Sequence, residues 1–525
     1  MISLRRPTAT AISVAAPIVV TLAIGLALSG CGLTGAGRIN TVGEVDFARP
    51  LAIPPLATGA VDDDGRRVFD LAARVGETEF RPGVRTSTWG YTSSDASGPA
   101  QNYLGPTLVA RRGEEVVVRV HNGLPMETTV HWHGMHLPAE MDGGPHQMIQ
   151  PGGQWTPHWT LDQPAATLWY HPHPHGQTEH QVTRGLAGLF IVQDDAEAAL
   201  PLPRRYGVDD IPLIVQDARF DRSGQLSTDV RGFIGPIGDQ LLVNGTLGPY
   251  LDVTTDVVRL RLLNASAARV FNFGFTDSRQ FALIGTDGGL LAAPHRTDAI
   301  QLSPGERAEV LVPMSAGENV VLRSNPADLG IPSAVSGMNA GSDSFDVLEL
   351  RAAQTLASVG SIPETVVPVE ASNAANAVVE RDFRLDGFTI NDRPMDLGRI
   401  DETVDVDETE IWSVTNATSM PHSFHVHDVQ FQVLDVGGQP PAAELSGWKD
   451  TVYLRPDLKY RLILRFTDYT NPDFPYMYHC HLLWHEDMGM MGQFVVVGPG
   501  QQAGTVPTGH DERRNTMKGT AHDHH

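Results

Sequence analysis

The stretch His479-Cys480-His481-Leu482-Leu483-Trp484-His485-Glu486-Asp487-Met488-Gly489-Met490 places three imidazoles, one thiol and two thioethers within twelve residues. On a β-strand, residues i and i+2 share a face. Read as a strand, it turns His479 and His481 one way and Cys480 the other. Three more groups of this kind lie elsewhere in the chain: His131-Trp132-His133-Gly134, His171-Pro172-His173 and His422-Ser423-Phe424-His425-Val426-His427. With His485, the four groups hold ten of the 21 histidines. A single His-X-His pair is more often structural than functional. Four of them, accompanied by Cys480 and Met490, are a ligand pattern.

The surrounding sequence reads as strands. Short β-type runs recur between turn signals at 116–120, 129–133, 186–192, 212–215, 257–263, 308–312, 319–322, 347–350, 431–434, 461–466 and 493–497. Helical periodicity is scarce, with 195–200 as one short candidate. The 52 glycines and 37 prolines suit a chain of strands and turns. This spacing predicts an all-β protein of repeated sandwiches or barrels. A length of 525 residues suggests about three domains. They are expected at 65–200, 201–360 and 361–498. A stretch over 355–380 is rich in Ala, Ser, Val and Pro and reads as a linker. Residues 499–525 read as a polar, disordered tail, with His522, His524 and His525 solvated.

Composition narrows the function classes. Hydrophobic residues at 41% and charged residues at 19% exclude a mostly disordered chain. A net charge of -24 argues against nucleic acid or anionic lipid as the main partner. At the N-terminus, Arg5-Arg6 precedes an apolar run over 11–28, then Leu28-Ser29-Gly30-Cys31. This pattern predicts a lipoprotein signal over 1–30, lipidation of Cys31 and a tether over 31–64. An uncleaved anchor is the alternative, although the apolar run is short for a spanning helix. Either way the body is expected outside the cytoplasmic membrane, on its outer face or in the cell envelope or periplasm. Membrane contact is then through the N-terminal anchor only. With Cys31 and Cys480 as the two cysteines, no structural disulfide is expected.

The ligand pattern has a chemical reading. His131, His133, His171, His173, His425, His427, His479 and His481 supply eight imidazoles, more than the four ligands of a lone tetrahedral zinc. They suit a cluster of several copper ions. Cys480, His485 and Met490, with His422 as an available second imidazole, match the trigonal copper site of electron-transfer proteins with its weak axial thioether. Cys480 is bonded through the backbone to His479 and His481, a short path between the two kinds of site. One such copper and a three-copper cluster store the four electrons that take dioxygen to water.

In this order, the motifs resemble those of the multicopper oxidases: laccases, bilirubin oxidases, spore-coat laccases and, above all, periplasmic copper-tolerance oxidases. Glu127 to Gly134, Asp162 to Thr167, Arg259 to Asn264 and Gly447-Trp448-Lys449-Asp450-Thr451-Val452 carry the same likeness, which covers roughly 65–498. The resemblance implies three cupredoxin-like Greek-key β-barrel or sandwich domains, with a trinuclear cluster between the first and third. It implies His131 and His425 on a type 2 copper. It assigns His133, His171 and His481 to one type 3 copper, and His173, His427 and His479 to the other. It assigns His422, Cys480 and His485 to type 1, with Met490 axial. Asp142 and Glu486 fit the family's proton-supplying acids. The implied reaction takes single electrons from Cu(I) or a phenolic or aromatic donor and reduces dioxygen to water, in copper tolerance. A copper-sequestering protein without turnover and a structural envelope protein are the alternatives. Two departures stand out. Asp428 follows His427 where the family usually has Gly, and no methionine-rich insert is present. His136, His146, His158, His175 and His180 are expected to be supporting or surface residues, and Met338 and Met420 to be packing residues.

Overall fold

The computed structural model describes residues 38–97, 101–229 and 233–506. Cys31, the signal segment and most of the tail lie outside the described residues. Strands dominate and gather into six sheets. The sheets come in three pairs along the chain, and each pair encloses its own apolar core. This is the all-β architecture of repeated two-sheet units that the strand spacing predicts.

In the first pair, one sheet runs Gln154–Trp155, Glu115–Gly123, Arg67–Arg81 and Ala60–Val61. The other runs Ala96–Ser97, Leu56–Ala57, Thr107–Arg111, Gly188–Gln193, Ala166–His171 and His131–His133. In the third pair, the site-bearing sheet runs Glu402–Asp405, Met491–Val497, Tyr476–His479, His422–Val426 and Thr451–Leu454. Histidine-bearing strands are therefore neighbours in both sheets. Register sets His131 opposite His171, and His425 opposite His479.

Burial follows the sequence pattern where one sheet face is wet. Asn319–Asn325 alternates buried and half-exposed residues along its length. Val257–Asn264 is buried throughout, including Arg259 and Arg261. These guanidiniums are matched by Glu197, Glu309 and Asp210 at 2.5–2.9 Å, as buried charge requires. The short helix Asp195–Ala198 lies where the pattern suggests, and the Asp194 carboxylate accepts the Glu197 N–H at its start.

Two regions differ from expectation. Residues 38–64 are not a tether. Arg49–Pro50 pairs parallel with Pro249–Thr255, Leu56–Ala57 pairs with Thr107–Arg111, and Phe47, Leu51 and Ala57 are buried. Two-residue strands leave no period to read. The long hairpin Arg67–Arg81 and Val84–Ser93 is also absent from the predicted runs. Its outer half is polar and half-exposed, so its alternation is masked. Among the described residues no helix is long and apolar enough to cross a membrane.

Candidate metal centre

All eight imidazoles of the predicted cluster are buried and converge between the first and third sheet pairs. Strand alternation alone accounts only for His131 and His133, which share one strand. His171 ends Ala166–His171, and His173 lies beyond Pro172. His425 is on His422–Val426 and His427 just past it. His479 ends Tyr476–His479, so His481 is not on the expected strand face either. In these three pairs the chain leaves the sheet between the two histidines, and the turn brings the second imidazole round.

The nitrogens fall into groups. His133 Nδ1 lies 3.4 Å from His171 Nε2 and 3.2 Å from His481 Nε2. His479 Nε2 lies 3.1 Å from His173 Nε2 and 3.2 Å from His427 Nε2. His131 and His425 lie edge-on at 5.8 Å between ring centroids and 65° between planes. His131 Nε2 and His425 Nε2 are buried with no hydrogen-bond partner among the described residues. The far nitrogens are mostly tied: His171 Nδ1 to Pro172 O at 2.9 Å, His479 Nδ1 to Cys480 O at 3.1 Å, and His425 Nδ1 to Asp450 O at 2.8 Å. Such outer contacts fix tautomer and ring orientation in metal sites.

Asp142 and Glu486 stand behind different imidazoles of this cluster. Asp142 Oδ2 takes a 2.7 Å bond from His427 Nδ1, and its Oδ1 lies 3.2 Å from His131 Nδ1. Burial raises the Asp142 carboxyl, but His427 and His131 outweigh it and hold the group well below the usual range. Glu486 accepts the Thr178 hydroxyl at 2.7 Å and lies 3.3 Å from both His173 Nδ1 and His479 Nδ1. Burial, reinforced by Asp487, pushes its carboxyl well above the usual range. One acid is held charged and the other neutral. Asp487 in turn accepts the backbone N–H groups of Thr178 and Glu179, which seats the helix Thr178–Thr183 against Leu483–Asp487.

The second site is a triangle. Cys480 Sγ lies 3.5 Å from His422 Nδ1 and 3.6 Å from His485 Nδ1, and the two nitrogens are 3.1 Å apart. Met490 is fully buried in the same core and its carbonyl accepts the Cys480 N–H. His422 Nε2 meets Thr418 Oγ1, and His485 Nε2 donates to Phe233 O at 2.8 Å. Phe233, a backbone contributor with no sequence signal, is 70% exposed. Just past the helix Ser333–Met338, Ala340 packs in the Cys480 core.

Copper fits these donors. Burial pushes the Cys480 thiol up to about 12, so at neutral pH a bound cation is needed to hold it as thiolate. Burial lowers His427 and His485 to about 4 and His481 to about 3, and takes His133, His171, His173, His422, His425 and His479 well down. All are neutral bases with free lone pairs, the form a metal binds. The two partnerless Nε2 atoms are what a buried ion would satisfy.

Family models described as multicopper oxidase match residues 84–197, 215–336 and 368–499. The chain belongs to the multicopper oxidase family. It is 34% identical to "Multicopper oxidase mco" of Staphylococcus haemolyticus, over 85% of this chain and 92% of that one. It is 36% identical to "Cell division protein FtsP" of Escherichia coli, over 85% and 93%. Among solved structures, a laccase-like multicopper oxidase CueO from Ochrobactrum sp. superposes with a TM-score of 0.77 at 35% identity, over 85% of this chain and 100% of that one.

Within this multicopper oxidase the remaining sequence expectations find their places. Asp428 adopts φ 70°, the left-handed backbone that a Gly would take. Its carboxylate binds His136 Nδ1 at 2.9 Å, while His136 Nε2 meets Asp468 at 3.0 Å. His146 bonds Gln493, and His180 lies edge-on to Trp89. Met338 is exposed rather than a packing residue.

Proposed function

We propose that this protein is an active oxidase that takes single electrons from a reducing donor and delivers four to dioxygen, giving water. The observation that carries the reading is the thiol of Cys480 buried between two imidazoles, with both covalent neighbours in the eight-imidazole cluster. Copper bound at these donors would supply one-electron redox chemistry at the thiolate and a store of electrons at the cluster. In this reading His422, Cys480, His485 and Met490 hold one ion. His131 and His425 hold a second, His133, His171 and His481 a third, and His173, His427 and His479 a fourth. The nitrogen distances within the third and fourth of these sets support that division.

The chain's own residues orient and feed this site. Asp142 fixes the Nδ1–H of His427 and carries charge towards His131. Glu486, kept neutral by burial, holds a proton within 3.3 Å of two cluster imidazoles, where proton supply to dioxygen is needed. Cluster burial excludes bulk water. The donor is met at the His485 edge, beside exposed Phe233 and Met488. Cu(I) in copper tolerance and phenolic or aromatic compounds are the donor classes we assign. The relative whose structure is described with activity towards lignin model compounds supports the second class. The division at 65–200, 201–360 and 361–498, export, and a lipid on Cys31 belong to the same reading.

Oxygen-uptake measurements test it. Four electrons of donor consumed per dioxygen, with no peroxide released and loss of turnover in Cys480→Ser, is the expected result. No oxygen uptake with either a cuprous or a phenolic donor would sink it. The relatives named as cell division proteins favour a second reading, an envelope role without turnover. A deletion strain with a division defect that Cys480→Ser fully rescues would select that reading.

A further inference from the structure

Seven of the eight cluster imidazoles leave Nε2 for the cluster, and one does not. His171, His173, His427, His479 and His481 approach their neighbours through Nε2. His131 and His425 have Nδ1 bonded and Nε2 without a partner. His133 is inverted: its Nδ1 faces His171 and His481, and its Nε2 points away. What meets that Nε2 is Asp450 Oδ1 at 3.0 Å and Thr451 Oγ1 at 3.2 Å. Asp450 is itself clamped by Arg307, with Nη1 to Oδ1 at 2.7 Å and Nη2 to Oδ2 at 2.6 Å.

We propose that Asp450, held by Arg307, is a positioning residue that sets which nitrogen His133 turns to the copper cluster. An ionised carboxylate only accepts hydrogen bonds, so Nε2 of His133 must carry the proton and Nδ1 keeps its lone pair. Arg307 is fully buried and anchored on the carbonyls of Thr167, Gly305 and Asp287, so the carboxylate cannot swing away. The same residue reaches a second ligand, because the Asp450 carbonyl takes the Nδ1–H of His425. His133 and His425 consequently stack at 3.8 Å between centroids and 9° between planes. Arg307 lies on Arg307–Pro313 of the middle sheet pair, which supplies none of the eight imidazoles. The middle of the chain thus reaches the cluster through this ion pair.

This inference rests on the reading of the eight imidazoles as copper ligands, and its test separates the two. Nitrogen NMR of the metal-free, histidine-labelled protein, with His133 assigned by its loss in His133→Gln, reads the tautomer directly. Protonation of His133 at Nε2 is expected, and protonation at Nδ1 would overturn the proposal. In copper-loaded Asp450→Ala, the sulfur-to-copper colour at Cys480 should persist while about one copper per chain is lost from the cluster. A coloured variant with its full copper complement would also overturn it. A wild-type protein that takes up no copper would sink the oxidase reading while leaving the tautomer result to stand.

Discussion

At the scale of single residues, the two acids behind the cluster are separated by their surroundings. Asp142 sits between two imidazoles that hold it charged, and Glu486 sits in a dry pocket beside Asp487 that keeps it neutral. Asp142→Asn is expected to lower turnover about 100-fold, as loss of a positioned acid–base group does, with the Cys480 colour unchanged. Steady-state rates and a visible spectrum on one sample check this. Retained turnover would make Asp142 merely structural. The convergence of these histidines and Cys480 was legible because such residues in close groups have few other uses. Their partners were not. Phe233 acts through its carbonyl, which any residue carries, and Asp450 is a lone acid 317 residues from the His133 it meets, with no spacing to mark it.

At the scale of elements, loops join the sheet pairs. His136 follows the His131–His133 strand and bridges Asp428 and Asp468, both from the third sheet pair. Burial lowers its pKa, but the two carboxylates outweigh this and raise it from 6.5 to about 10. A raised folded pKa means the stabilisation is full below pH 6.5 and is lost as pH rises through about 10. Denaturant unfolding should therefore show stability falling over that window by up to about 1.4 kcal/mol per pH unit, with His136→Gln flattening the slope. An unchanged slope in the variant would rule the bridge out. Gly143 is a second element-scale constraint. At φ 82°, an added Cβ would collide with the Val130 carbonyl. Gly143→Ala should cost about 3 kcal/mol or more in unfolding free energy and displace Asp142. A loss under about 1 kcal/mol would contradict that geometry. The buried strands were readable from their apolar runs. The short N-terminal strands were not, because pairing with distant segments, rather than any period of their own, makes them strands.

At the scale of the whole molecule, the first and third sheet pairs meet over the eight imidazoles, and the middle pair braces them through Arg307. The three-part all-β plan was legible in the recurrence of strands. The brace was not, because it joins residues 143 positions apart in sequence. Ligands bound to the native state alone stabilise it by mass action. Removing copper with a chelator should thus lower the thermal midpoint by at least about 5 °C, and restoring copper should recover it. Calorimetry of the two forms would show no difference if the cluster held no metal. The central claim, a thiolate and eight imidazoles holding copper, is tested most directly by the visible absorption spectrum of the copper-loaded protein. We predict an intense sulfur-to-copper band that is absent from Cys480→Ser; a metal-replete wild-type sample without that band would contradict the account.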